Sequence, residues 1–244
     1  MTGVGQGVGI VVGMLIFYGV CGAMRVYRQL RISRELSAAL TTYERHNDQA
    51  PMRVLFIGDS TGYGTGASEG RYSIPGRLAA AIPTAHIENA SKPGVYLSYA
   101  HTALDTRVQK NTPPFDLIVI MLGGMNLVCF TPLALLRRSL KTILTRSQQY
   151  GKNIVLISPN NAGLMLCYPP FLLPLYHNRS RQMKILYQEV AHEVGVSHVS
   201  LFHEKNDPVI DQKLLARDLM HPNDAGYEVW YRQIHETLIR ALLT

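Results

Sequence analysis

The fold of this chain is decided by residues 54–67, which read Val-Leu-Phe-Ile-Gly-Asp-Ser-Thr-Gly-Tyr-Gly-Thr-Gly-Ala. The apolar, β-favouring start predicts a buried strand that breaks at Gly58. Asp59 and Ser60 then lie just beyond the carboxyl end of the strand, where open α/β sheets bind their ligands. The four glycines between positions 58 and 66 leave bare backbone N–H groups near Ser60 and allow unusual φ values there.

Two interpretations of this stretch compete. In the first, Ser60 is a nucleophile presented on a turn. In the second, Gly62-x-Gly64-x-x-Ala67 is the phosphate cradle of a dinucleotide-binding protein, and Glu88 at the end of the next strand contacts the ribose. The glycines begin several residues after the strand and not within its turn, which counts against the second interpretation.

The composition is that of a globular protein and argues against several functional classes. The chain has 244 residues, of which 47% are hydrophobic and 17% charged, as in a globular protein with a substantial core. The net charge is +7, but no run of Lys and Arg interleaves with aromatic residues, so we expect no nucleic-acid binding. The three cysteines form no C-x-x-C motif, which argues against a zinc site and a disulfide framework, and we expect Cys129 and Cys167 to be free.

The N-terminus is apolar. Residues 1–24 carry no charged side chain and reach the roughly 20 residues that a bilayer-spanning helix needs. The positive charges follow this run and do not precede it, so we predict an uncleaved transmembrane anchor over residues 1–24, with a cleaved signal as the alternative. Glycines recur every fourth residue at Gly5, Gly9 and Gly13, a pattern that either pairs helices in a self-association or reflects only a glycine-rich N-terminus.

Four arginines follow the apolar run, at positions 25, 28, 31 and 34. We expect residues 25–51 to form a basic juxtamembrane helix, seated on anionic headgroups, and then a linker. Flanks rich in Lys and Arg remain inside, which favours the cytoplasmic side for the following domain, with an extracytoplasmic or periplasmic location as the alternative.

The rest of the chain, residues 52–244, alternates strands and helices. Strands are predicted over residues 53–57, 86–89, 117–122, 154–157 and 196–201. Helices are predicted over residues 73–81, 95–110, 131–150, 180–194 and 224–243. Continuous apolar strands separated by helices indicate one three-layer α/β domain built on a five-stranded parallel sheet.

Small and polar residues gather at the predicted strand ends. Ser60 follows the first strand, Gly94 the second and Asn126 the third, while Asp218-x-x-His221 precedes the last helix. A serine hydrolase needs a nucleophile, a base, a group that orients the base and donors for an oxyanion, and these residues can fill all of those roles. Each motif alone has an ordinary explanation as a turn or a helix cap; the combination favours catalysis.

Through these motifs the sequence resembles the SGNH, or GDSL, hydrolase family, over about residues 52–244. The resemblance implies a flavodoxin-like α/β/α fold, a catalytic triad of Ser60, His221 and Asp218, and no metal or organic cofactor. It also implies an oxyanion hole made by the N–H groups of Ser60 and Gly94 and by the Asn126 side chain. In one departure, Leu127 stands where the family often has Asp after the Asn.

We therefore expect a serine hydrolase that cleaves carboxylic esters, or thioesters, through an acyl-enzyme. Lipid esters, acylated glycans and small acyl esters all remain as substrates, and a catalytically inactive glycan- or lipid-binding member of the same fold is the alternative.

A metal site has little support in the sequence. Glu189 and His192 share a face of the helix predicted over residues 180–194, but no further metal ligands accompany them.

The uncharged, proline-rich segment over residues 164–176 predicts a lip at the substrate site. Long connections without regular structure are often functional lids. We expect Leu164, Phe171, Leu172 and Leu173 to contact acyl chains or the bilayer. The alternative is that these side chains are additional core.

Overall fold

The computed structural model describes the backbone of residues 3–108 and 113–243, with side chains from Phe17 onward. Its centre is a sheet of five parallel strands in the order β2-β1-β3-β4-β5. The strands are β1 (Arg53–Gly58), β2 (His86–Asn89), β3 (Phe115–Met121), β4 (Gly151–Ser158) and β5 (Ser197–Ser200). The predicted five-stranded parallel sheet is confirmed, and this strand order is that of flavodoxin-like folds.

Helices cover both faces of the sheet. The helices of the domain are α2 (Ser60–Tyr63), α3 (Ile74–Ala81), α4 (Tyr99–Arg107), α5 (Gly124–Val128), α6 (Leu133–Ser147), α7 (Leu173–Val194) and α8 (Asp224–Leu243). Buried residues of α4, α6 and α7 pack against one face, and those of α3 and α8 against the other. Neighbouring residues of a strand point to opposite faces, so Leu55 and Phe56 of β1 belong to different cores. Two apolar layers thus fix the sheet, and with it the strand ends that carry the polar residues.

Three helix starts differ from the sequence prediction. Helix α4 begins at Tyr99, four residues after the predicted residue 95. Helix α7 begins at Leu173, seven residues before the predicted residue 180, because Pro174 lies in its first turn, where a missing N–H costs no helical hydrogen bond. Helix α6 begins at Leu133, and Thr131 does not cap it; its hydroxyl instead accepts a hydrogen bond from Asn126. The predicted end of α4 at residue 110 lies outside the described residues.

The N-terminal residues form one helix, α1 (Gly3–Ala39), which continues through the boundary predicted at residue 24. In the described part of the chain, no helix is both long and apolar enough to cross a membrane. The predicted anchor is therefore not supported there; most of its apolar run, including Gly5, Gly9 and Gly13, lies among residues whose side chains are outside the description.

The arginines of α1 do not act as one basic face. Residues spaced by three rotate by about 60° at each step around a helix of 3.6 residues per turn. Arg25 donates to the Leu166 carbonyl, whereas Arg31 pairs with Glu35. Helix α1 thus lies against the domain. The basic juxtamembrane helix and linker over residues 25–51 stay a prediction from the sequence.

Candidate active site

Ser60 is held at the carboxyl end of β1, an inner strand of the sheet. The Asp59 N–H donates to the carbonyl of Met121 at the end of β3, at 3.0 Å, so the two strands stay paired up to the turn. Asp59 caps helix α2 by accepting from the Thr61 N–H at 3.1 Å. Ser60 is the first residue of this short helix, and its N–H therefore has no acceptor within the helix. The geometry leaves both the hydroxyl and the N–H of Ser60 available to a ligand.

The structure brings Ser60, His221 and Asp218 into one hydrogen-bonded chain. The His221 Nε2 lies 2.7 Å from the Ser60 Oγ, and the His221 Nδ1 lies 2.6 Å from the Asp218 Oδ2. Asp218 is fully buried and His221 is 5% exposed. Ser60 lies 161 residues before His221 in the sequence, whereas Asp218 and His221 share one turn. The three side chains meet in the order that a nucleophile, its base and the orienting group require.

The turn that carries the histidine is fixed by its own carboxylate. The Asp218 Oδ1 accepts the N–H groups of Met220 and His221, both at 3.0 Å. Leu219, which lies between Asp218 and Met220, adopts φ +54°, a left-handed conformation that costs a non-glycine residue about 1–2 kcal/mol. Such strain is typical of turns whose geometry serves a site, since surrounding contacts must hold it.

The pKa values of the two aspartates are shifted in opposite directions. Burial alone would raise the pKa of Asp218, but the hydrogen bonds and the charge of His221, with the two backbone N–H groups, hold that pKa below its usual value. Burial dominates at Asp59 and raises the pKa of that carboxyl, although the N–H groups of Gly124 and Thr61 oppose the shift. Asp218 is therefore the carboxylate suited to stabilise an imidazolium.

The three predicted oxyanion donors come from the segments that follow β1, β2 and β3. Gly94 has φ +72° and lines the cavity at Ser60. The Asn126 Oδ1 accepts the Leu97 N–H at 2.7 Å, and the Asn126 Nδ2 donates one hydrogen to the Thr131 Oγ1 at 3.1 Å. This arrangement fixes the amide, and the second hydrogen of Nδ2 has no hydrogen-bond partner among the described residues. Asn126 is 6% exposed and is not among the residues that line the cavity.

Asp59 has a structural role that the sequence reasoning did not assign. Its Oδ2 accepts the Gly124 N–H at 3.0 Å, which ties the Ser60 turn to the loop carrying Asn126. The sequence feature that could have indicated this role is the position of Asp59, directly after a strand and before the start of a helix. Leu127, in the place where the family often has Asp, is 2% exposed and belongs to the core, so that position packs and makes no polar contact.

The glycines after Ser60 are required for packing. A Cβ on Gly66 would lie 2.4 Å from the Pro222 carbonyl oxygen, directly beside the histidine turn. A Cβ on Gly62 would lie 2.7 Å from the Ser91 Oγ. Glu88, the residue assigned to a ribose in the alternative interpretation, pairs with Arg53 at 3.0 Å. The close approaches at Gly62 and Gly66 and the ion pair of Glu88 give these residues structural roles within the protein.

A cavity of about 590 Å³ opens at Ser60. Its wall is largely apolar, with contributions from Met121, Leu122, Leu127, Val128, Ile157, Ala162, Met165, Tyr168, Leu201, Met220 and Trp230. Two sets of residues were missed by the sequence reasoning. Met165 and Tyr168 lie in the predicted lip but were not singled out, and Leu30, Ser33, Arg34 and Ser37 come from α1. Only the fold could reveal that α1 reaches the site.

The four residues chosen for the lip do not line this cavity. Leu172 and Leu173 are half-buried and pack against the core under α4, α6 and α7, because the helix that contains Leu173 starts earlier than predicted. Phe171 is 52% exposed and contacts the ring of Tyr18 in α1, with ring centres 5.4 Å apart. Leu164 is half-buried, at the end of a short 3-10 turn. The alternative of additional core therefore holds for Leu172 and Leu173.

Other reactive groups have different surroundings. Glu189 and Glu193 each pair with Arg137, and across the described residues no group of three or more His, Cys, Asp and Glu is arranged to hold a metal. The three cysteines are free, and burial raises the pKa of Cys167 to about 12, which keeps that thiol protonated. Ser60, which is hydrogen-bonded to His221, is thus the candidate nucleophile.

Comparison with known proteins agrees with this geometry. The model of the GDSL-like lipase/acylhydrolase family matches residues 56–229. A search of curated proteins gave no match. Solved structures with the same fold include TesA, at 20% identity and a TM-score of 0.61, covering 78% of this chain and 99% of that one.

Two further solved structures extend the comparison. A member of the lipolytic G-D-S-L family from Veillonella parvula has 16% identity and a TM-score of 0.65, covering 78% of this chain and 99% of that one. A variant of Axe2, an acetyl xylan esterase from Geobacillus stearothermophilus, has 18% identity and a TM-score of 0.58, covering 79% and 95%. At these identities the neighbours show a shared fold.

Proposed function

The chain belongs to the GDSL-like lipase/acylhydrolase family, and from that premise we propose that it hydrolyses carboxylic esters through an acyl-enzyme on Ser60. One observation carries the proposal: the continuous hydrogen-bonded chain from Ser60 through His221 to the buried Asp218. In that arrangement the imidazole can take the hydroxyl proton as the oxygen attacks, and the carboxylate stabilises the resulting imidazolium.

In the proposed reaction, the Ser60 Oγ forms a bond to the carbonyl carbon while its proton moves to the His221 Nε2. The carbonyl oxygen becomes an oxyanion, which the N–H groups of Ser60 and Gly94 and the Asn126 amide stabilise. His221 returns the proton to the departing alkoxide as the acyl–oxygen bond breaks. Water, deprotonated by His221, then attacks the acyl carbon; the bond to the Ser60 Oγ breaks, His221 returns the proton to that oxygen, and the acid is released.

The walls of the cavity support a substrate with an apolar acyl group. Methionine, leucine, isoleucine and aromatic side chains surround the space next to Ser60, and each methylene removed from water there contributes about 0.8 kcal/mol. A volume of about 590 Å³ exceeds what an acetyl group needs, so we propose medium-chain esters or thioesters as preferred substrates. Acetylated glycans and small esters are then poorer substrates.

Ser60→Ala tests the mechanism. We expect loss of p-nitrophenyl octanoate hydrolysis, by at least about 10³-fold, and loss of labelling by a fluorophosphonate probe. The melting temperature should change little, because the Ser60 hydroxyl is not a core group. Exposed Ser68, in the following loop, provides the control through Ser68→Ala, which should keep both activities.

Two results would overturn the proposal. Labelling of the Ser60→Ala protein at the wild-type level would place the nucleophile elsewhere. A wild-type protein that neither hydrolyses graded p-nitrophenyl esters nor reacts with the probe would instead support the inactive, ligand-binding alternative.

A further inference from the structure

Helix α1 forms one wall of the active-site cavity, although it precedes the residues that the family model matches. Contacts along its length hold it there. Its Ser37 hydroxyl is hydrogen-bonded to that of Thr65 at 2.8 Å, and the Tyr63 hydroxyl donates to the Leu40 carbonyl at 2.8 Å. Arg217, in the loop before the histidine turn, bonds Glu35 at 3.3 Å. The helix is therefore bonded to loops on both sides of Ser60.

Helix α1 contributes the cavity's one strong cation. Among the described residues that line the cavity, Arg34 alone is a Lys or Arg. It is exposed at the mouth of the cavity, whereas the space beyond it is apolar. A substrate that places an acyl chain inside would therefore leave its alcohol part near this guanidinium.

The Arg34 guanidinium is not neutralised by the described part of the protein. The structure gives it neither a hydrogen-bond partner nor an ion-pair partner there. The adjacent acid, Glu35, is engaged by Arg31 at 3.4 Å and by Arg217 at 3.3 Å. The other residues at the cavity that can carry a charge include His221, which Asp218 binds, and Asp59, which accepts two backbone N–H groups. Cys129 and Tyr168 also line the cavity, and neither carries a carboxylate that could pair with Arg34. Arg34 therefore remains free to bind an anion from outside.

We propose that Arg34 is a specificity-determining residue that binds an anionic group, a phosphate or a carboxylate, on the alcohol part of the ester. The proposal rests on the esterase function proposed above and adds the charge of the substrate. Guanidinium forms charge-assisted, often bidentate hydrogen bonds with either anion. The preferred substrate is then an acyl ester with an apolar medium-length chain and a negative charge a few bonds from the ester oxygen.

The test compares esters with one acyl chain and different alcohols: monooctanoyl glycerol, monooctanoyl glycerol phosphate and monooctanoyl glycerate, all below their critical micelle concentrations. The wild-type protein should prefer the anionic esters. Arg34→Gln should lower kcat/KM for them by about 10- to 100-fold, mainly through KM, and leave the neutral ester within about threefold. Arg34→Lys should retain part of the preference, since lysine keeps the positive charge but cannot form the bidentate hydrogen bonds of a guanidinium. Comparing the phosphate with the carboxylate identifies which anion the site takes.

Arg28→Gln is the matched control, because Arg28 lies on the same helix, is exposed as Arg34 is and does not line the cavity. It should behave as wild type on all three esters. Equal losses on neutral and anionic esters in Arg34→Gln, or no preference in the wild type, would overturn the inference while leaving the esterase proposal in place. If the wild-type protein hydrolysed none of the esters, both the esterase proposal and the inference about Arg34 would be wrong.

Discussion

Asn126 donates one amide hydrogen to Thr131, and its second amide hydrogen is the one that the proposed oxyanion hole uses. Because an oxyanion donor acts mainly in the transition state, Asn126→Ala should lower kcat by about 10²–10³ with a much smaller change in KM. Steady-state kinetics on p-nitrophenyl octanoate measure both quantities.

A second variant separates this role from packing. Asn126→Asp keeps an acceptor for the Leu97 N–H but removes the donor, so it should be slow as well. A change confined to KM in either variant would make Asn126 a substrate contact and not an oxyanion donor.

Asp218 supports a prediction about pH. The hydrogen-bond partners of Asp218 in the folded protein hold its pKa below the ordinary value. Its ionised form therefore stabilises the folded protein at pH values above the unfolded pKa, and this contribution is lost as the pH falls through the folded pKa. In Asp218→Asn, the loss of unfolding free energy relative to wild type should be largest near neutral pH and should shrink between about pH 5 and pH 2.

The same variant should lose about 10⁴-fold in kcat, the loss that an equivalent change causes in serine proteases, because Asn favours the wrong imidazole tautomer. Denaturant titrations at several pH values measure the stability difference. If the difference in unfolding free energy between the wild type and Asp218→Asn did not vary with pH, the charge of the carboxylate would make no contribution to stability.

At the scale of elements, the segment over residues 164–176, which runs into the first turn of α7, separates into two parts. Met165 and Tyr168 line the cavity, whereas Leu172 and Leu173 pack into the core. Met165→Trp adds volume to the cavity wall and should lower kcat/KM for octanoyl esters by about tenfold while sparing acetyl esters. Leu175→Trp is the control, since Leu175 is 52% exposed on the first turn of α7.

Replacing Leu172 and Leu173 by Ser should give a different result. Loss of these half-buried side chains should lower the melting temperature and reduce activity on acetyl and octanoyl esters alike. Unchanged stability together with a selective loss on octanoyl esters would restore the lip as predicted from the sequence.

At the scale of the whole molecule, membrane attachment stays a prediction from the sequence. The apolar run of residues 1–24 and the arginines behind it predict that a reporter fused after Thr244 is active in the cytoplasm. Fractionation of cells that express the fusion should place it with the membranes. A reporter active only outside the cytoplasm would contradict the orientation, and recovery in the fraction without membranes would contradict the anchor.

The sequence by itself determined the sheet and the positions of the polar residues at its edge. Continuous apolar runs can be buried only between two layers of helices, and the order of a parallel α/β chain brings the ends of β1 and β3 together. Gly58-Asp59-Ser60, Asn126 and Asp218-x-x-His221 could therefore be recognised before any coordinates, because their spacing to the strands and to α8 is local information.

Tertiary structure alone decided what covers the site. Nothing in residues 25–40 signals a cavity wall, since α1 reaches Ser60 through contacts with loops far along the chain, such as Ser37 with Thr65. The start of α7 was likewise missed, because a proline-rich stretch reads as a loop until the core below it orders Leu172 and Leu173. Such contacts depend on the distance between segments in space, and hydrophobic periodicity along one segment carries no record of that distance.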